Sequence, residues 1–105
     1  MVARPPELHP EALAEADAGV LWYLDRSPRV AQRFIAAVDR ALERICEAPE
    51  RWPSYVAGTR RYVMLKFPYF IVYKVTSETV YVYAIAHAKR KPGYWKTRLP
   101  ASQQG

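Results

Sequence analysis

The chain has 105 residues, half of them hydrophobic and a quarter charged, with a net charge of +6. That size fits one domain over residues 1–105 with a modest core, and the composition excludes wholesale disorder. A single cysteine excludes an internal disulfide and a cysteine-rich metal framework. The longest apolar run, "VYVYAIA", is too short to cross a bilayer, and "MVARPPEL" lacks the apolar stretch of a signal peptide, so the expected location is the cytoplasm with no membrane partner.

In chain order, "HPEALAEADAGVLWYLDR" predicts a helix. Pro10 suits its first position, Glu11 and Glu15 favour the positive end of its dipole, and Leu13, Ala16, Val20 or Leu21, and Leu24 recur at helical spacing. "RSP" breaks it, with Ser27 as N-cap and Pro28 in the first turn of a second helix. Val30, Phe34, Val38, Leu42 and Ile45 give that helix an apolar stripe ending near Ala48 and Pro49, with Cys46 as a small buried hydrophobe. So tight a link predicts a helical hairpin. Leu8 closes a very short first strand.

After the Pro- and Gly-marked "ERWPSYVAG" the period changes. "RRYVMLKF", "YFIVYKV" and "TVYVYAIAH" are rich in β-branched and aromatic residues, with breaks at Pro68 and "TSE". Short links make them an antiparallel meander. The fold class is therefore α+β, a helical hairpin packed on an antiparallel sheet of three to four strands. Residues 1–5 and 99–105 are expected to fray. Strict alternation in the last strand would send Val80, Val82, Ala84 and Ala86 to one face and Tyr81, Tyr83 and Ile85 to the other. Both faces are then apolar, and one hairpin covers only one. Loops, a second subunit or another protein must cover the second.

Charge is polarised along the chain. Residues 1–52 carry seven arginines against nine carboxylates, net −2, whereas residues 53–105 carry nine Lys or Arg against Glu78 alone, net +8. Such asymmetry points the C-terminal half at an anionic partner. Glu78 has no second acid near it for paired acid–base work, and His9, His87 and one cysteine are too few for a convincing metal site. No phosphate-binding glycine loop or nucleophile elbow occurs. No metal or cofactor is expected. What remains is cationic and aromatic: Arg60 and Arg61 at the start of the meander, then Lys89, Arg90, Lys91, Tyr94, Trp95 and Arg98 after its last strand. This set suits phosphate contact with base stacking, and equally an acidic protein surface. The plainer readings are a solvated rim, a Trp95 that packs the chain end, and a structural hydrogen-bonded His87.

Taken together, "RRYVMLKFPYFIVYKV" and "VYVYAIAHAKRKPGYW", preceded by "LHPEALAEADAGVLWYLDRSP" and "APERWP", resemble the RelE/ParE toxin superfamily of bacterial type II toxin–antitoxin modules over nearly the whole chain. The resemblance implies a growth-inhibiting, plasmid-stabilising toxin wrapped by a cognate antitoxin, as a hetero-oligomer or with a homodimer of its own. One branch cleaves mRNA on the ribosome; the other, ParE-like, poisons DNA gyrase without known nuclease chemistry. The nuclease branch's strand lysines fall near Tyr62 and Met64 here, and its strand arginine at Phe70. The loss of those cations removes electrostatic stabilisation of a cleaved phosphate. The ParE-like branch is therefore favoured, an inhibitor rather than an enzyme, with Arg60, Arg61, Lys89, Arg90, Lys91, Tyr94, Trp95 and Arg98 as target-binding residues. The runner-up is a ribosome-dependent nuclease using Arg90, Tyr94, His87 and Lys66, and behind it a non-toxic basic binding module.

Overall fold

The computed structural model describes residues 5–77 and 79–100. Strand β1 (Glu7–Leu8) leads into helix α1 (Pro10–Arg26), and after a single residue into α2 (Pro28–Glu47). His9 caps α1, its Nδ1 accepting from the Glu11 amide at 3.0 Å. Ser27 ends α1 and starts α2, its hydroxyl accepting from the Val30 amide at 3.3 Å, with Pro10 and Pro28 in the first turns as their fixed φ favours. In the expected stripe of α2, Phe34, Val38 and Ile45 are buried and joined by Ala31 and Ala41, while Val30, Leu42 and Cys46 are half-buried. The buried face of α1 is turned from the expected one. Ala12 and Gly19 are buried, Ala16, Val20 and Tyr23 pack against the core, and Leu13, Leu21 and Leu24 are exposed. Small residues win because the helices approach closely: a Cβ on Gly19 would lie 2.8 Å from the Phe34 ring.

Strands β2 (Arg60–Val63), β3 (Tyr69–Val75) and β4 (Val80–His87) form the meander. The order is β1-β4-β3-β2, with β1 parallel to β4 and the other pairs antiparallel, so the sheet is mixed rather than purely antiparallel. The first meander strand is shorter than its apolar pattern. Pairing stops at Val63, and Leu65 in the turn beyond is 89% exposed.

Strict alternation fails in β4. Val72 pairs with Ala84 and Tyr73 with Val82, which leaves Tyr83 without an opposite residue. This β-bulge puts two successive residues on one face and reverses the parity of everything after it. Val80, Val82 and Ile85 therefore face the helices with Ile71, Tyr73, Tyr62 and Met64. Tyr83, Ala84 and Ala86 face away with Val72.

The second face is covered by the chain itself. A terminal 3-10 helix (Tyr94–Arg98) lays Trp95 and Leu99 on that surface, with Tyr55 and Ala57 of the loop before β2 beside them. Gly93 lets the chain turn there, at φ 74°, a conformation that side chains disfavour. The expected fraying at the ends does not begin where proposed. Leu99 is buried, and the Pro5 carbonyl accepts from the Thr79 hydroxyl at 3.0 Å. The remaining end residues, 1–4 and 101–105, and the lone acid Glu78 lie outside the described residues.

Candidate functional site

The site is built at an unfinished sheet edge. β1 pairs with β4 only as far as Val82, and the His9 amide bonds the Val82 carbonyl at 2.8 Å. Beyond that point the backbone groups of β4 need other partners. Glu15, one turn into α1, accepts from the Ile85 amide at 3.0 Å, and Arg98 donates to the Tyr83 carbonyl at 2.9 Å. These two side chains then pair with each other through both carboxylate oxygens, at 2.9 and 3.0 Å, with side chains only 14% and 11% exposed. The Tyr94 hydroxyl donates to the same carboxylate. One carboxylate thus gathers a backbone amide, a guanidinium fork and a phenol.

The electrostatics follow. Burial raises the Tyr94 pKa, the Glu15 hydrogen bond and charge raise it further, and Arg98 and Arg90 pull against them; the net result lies well above the ordinary phenol value. Burial works to lower the Arg98 pKa, but the hydrogen bonds and charge of Glu15 outweigh it, so the net shift is upward. Tyr94 therefore holds its proton and spends it on Glu15. The Arg90 guanidinium sits 3.9 Å from the centre of the Tyr94 ring, on a π face that attracts cations. It has no hydrogen bond or ion pair among the described residues. Lys89, Arg90 and Lys91 are exposed in the turn that follows β4. His87 packs edge-on against Tyr69, ring centres 5.1 Å apart, and its Nδ1 accepts from the Lys89 amide at 3.1 Å.

The expected target-binding residues divide into two groups. Lys89, Arg90 and Lys91 stand together at the surface, with Tyr94 behind them. Trp95 is a correction: it is 0% exposed, within the second core, so as folded it reaches no partner. Arg98 is likewise committed to Glu15. Arg60 and Arg61 do not act as a pair, because neighbours on a strand point to opposite faces. Arg60 donates to the Trp52 carbonyl at 2.6 Å, while Arg61 lies over the Tyr55 ring on the second face, 4.6 Å from its centre. Lys66 is exposed and lines a groove against α2 with Arg33, Ala36 and Ala37, a groove that Arg90 does not line. Tyr62 and Met64 lie under the helices and Phe70 on the other face, so the three positions do not share a surface. The residue missed by sequence reasoning is Glu15. Its signal was a carboxylate between Ala12 and Ala16, on the small-residue side of α1.

A family model, the ParE toxin of the type II toxin–antitoxin system parDE, matches residues 7–92. The chain belongs to this family. The toxin is 34% identical over 71 residues to a protein of Caulobacter vibrioides named Toxin RelE1, a match that covers 65% of this chain and 75% of the relative. Its fold is shared with a solved structure described as the chromosomal ParDE TA system from P. aeruginosa, with a TM-score of 0.71 over 80% of this chain and 95% of that one, at 17% identity. The family match ends at Pro92, so the toxin's Tyr94 and Arg98, which complete the Glu15 cluster, lie beyond it.

Proposed function

We propose that this toxin arrests growth in the cytoplasm by gripping a protein target, DNA gyrase, with its basic turn, and that a cognate antitoxin neutralises it. The observation that carries this reading is the commitment of Tyr94. A nuclease needs a group free to take or give a proton beside cations that hold the phosphate. Here the phenol is tied to Glu15 and its pKa is raised, and Arg98 is saturated by the same carboxylate. Lys89, Arg90 and Lys91 remain available, a cluster suited to charge-assisted contacts with an acidic surface. Exposed Leu13, Leu21 and Leu24 on α1, with Val63 at the end of β2 and Leu65 beyond it, offer apolar surface for the antitoxin, whose acids would meet the +8 half.

The test pairs two assays on the purified toxin. Gyrase supercoiling should be inhibited, and mRNA on purified ribosomes should stay intact. Replacing Lys89, Arg90 and Lys91 together with alanine should relieve growth arrest while the domain stays folded. Codon-positioned mRNA cuts that Arg90→Ala or Tyr94→Phe abolishes would instead establish the ribosomal nuclease. A protein without effect in either assay would be a basic binding module.

A further inference from the structure

Between α1, the start of β3 and the end of β4 the structure holds an open cleft of about 470 Å³, on the helix side of the sheet. That volume is in the range of small-molecule sites, roughly 300–1,000 Å³. The cleft exists because α1 presents Ala18 and Gly19 there instead of large side chains. Trp22, Tyr23 and Tyr69 form aromatic walls, with the Arg26 guanidinium 3.4 Å from the Trp22 ring centre, and His87, Lys89 and Arg90 line the side nearest the basic turn. The bulge at Tyr83 is what brings His87 to this side. Without it, His87 would face the second core.

Apart from Glu15, the polar side chains of the cleft keep open donors. Among the described residues, the hydroxyls of Tyr23 and Tyr69 have no hydrogen-bond partner, nor do the Lys89 ammonium and the Arg90 guanidinium. The His87 Nδ1 accepts from the Lys89 amide, which leaves Nε2 as the ring's open nitrogen. Glu15 is the single acid lining the cleft, and its charge is matched by Arg98. An anion entering therefore meets two uncompensated cations and no uncompensated carboxylate. Flat π surfaces beside Arg and Lys are the arrangement that holds a nucleobase and its phosphate together.

We propose that this cleft is a nucleotide-binding site, taking one base against the Trp22, Tyr23 and Tyr69 walls and its phosphate at Lys89, Arg90 and His87. The occupant is either a free nucleoside monophosphate or the phosphorylated end of a single strand, which present the same chemistry. The inference goes beyond the gyrase reading and does not depend on it.

The experiment is calorimetric titration of the full chain with AMP, GMP, adenosine, ribose 5-phosphate, and a short single-stranded oligonucleotide with a 5′-phosphate. A nucleotide should bind at least tenfold more tightly than adenosine or ribose 5-phosphate, since each of those lacks half of the contacts. Ala18→Leu, at an exposed helix position, fills the cleft and should weaken binding at least tenfold with an unchanged circular dichroism spectrum. Trp22→Phe serves as a second probe of the wall should Ala18→Leu fail to fold, and should weaken binding severalfold. Lys91→Ala, in the same turn but outside the cleft, should stay within twofold. Binding of AMP or GMP marks a free nucleotide as occupant, and binding of the oligonucleotide alone marks a strand end. The proposal is overturned if ribose 5-phosphate binds as well as AMP, if Ala18→Leu leaves binding intact, or if neither the nucleotides nor the oligonucleotide binds.

Discussion

The two faces of the sheet are covered by different means. On one side two helices totalling 37 residues bury Phe34, Val38, Ile45 and the inward side chains of three strands. The Phe34 ring contacts those of Tyr23, Phe67 and Tyr69 at centre separations of 4.9–5.2 Å. On the other side a five-residue helix and part of a loop cover Val72, Ala84 and Ala86, anchored by Trp95 and Leu99. The first face is held by area and close packing. The second depends on one tryptophan and one ion-paired carboxylate reaching across the sheet edge. The fold's stability resides mainly in the first, and the geometry of the basic turn in the second.

Phe34→Ala should show the largest effect. Removing a buried phenylalanine costs about 3–5 kcal/mol, and urea unfolding should keep a single transition with its midpoint greatly lowered. A loss under about 1 kcal/mol, too small for a cavity at a buried ring, would remove the distinction between the faces.

Glu15→Ala comes next, at about 3 kcal/mol, because it strands the guanidinium of Arg98 in a mostly buried place. Its signature is local. Hydrogen exchange should accelerate at Ile85 and through the terminal helix, while the Ile71 and Tyr73 amides on β3 keep their protection. Uniform acceleration would mean that the second face is no weaker than the first.

Alkaline pH probes both faces, through Tyr73 and Tyr94. The Tyr73 hydroxyl, buried and donating to the Pro49 carbonyl, is pushed up to about 12, chiefly by burial, with Arg60 pulling down and Cys46 pushing up. Tyr94 is raised as well. An unfolded tyrosine ionises near 10, so above that pH the unfolded chain binds fewer protons than the folded one. The stabilisation is whole below pH 10 and is lost as pH rises toward 12, at about 1.4 kcal/mol per pH unit for each such group. Urea midpoints between pH 9 and 11.5 should fall on that slope, and Tyr73→Phe should make it shallower. A flat profile would show that these phenols ionise as freely as in the unfolded chain.

The smallest effect belongs to the turn. Alanine at Lys89, Arg90 and Lys91 should each change stability by less than about 0.5 kcal/mol, since exposed charges contribute little. A larger loss at Arg90 alone would show that its stacking on Tyr94 helps hold the second face.

Local chemistry was legible in the sequence. Pro10, Ser27 and Pro28 mark helix ends through groups a few residues away, and the change of period after residue 58 marks the strands. The α1 interface was misplaced because hydrophobicity draws attention to Leu13, Leu21 and Leu24, whereas Ala12, Ala16 and Gly19 permit the close approach. The bulge at Tyr83 has no signature in a run of Val, Tyr and Ala, so alternation put Ile85 on the wrong face. Glu15 was read as a dipole partner because its real partner, Arg98, is 83 residues away. The need to cover the second face was visible, but the choice among loops, subunits and partners was made by tertiary packing of Trp95.

The parallel pairing of β1 with β4 orders events during synthesis. Glu7 and Leu8 find their places only beside Tyr81 and Val82, and the Thr79 hydroxyl meets the Pro5 carbonyl across 74 residues of chain. While the ribosome is still making the meander, the helical hairpin can form but the first strand has no neighbour. The carboxylate on α1 likewise waits for Arg98, 83 residues further along the chain. Nascent chains short of residue 98 thus lack the arginine that pairs with Glu15, and the cluster behind the basic turn is assembled only after Arg98 has been made.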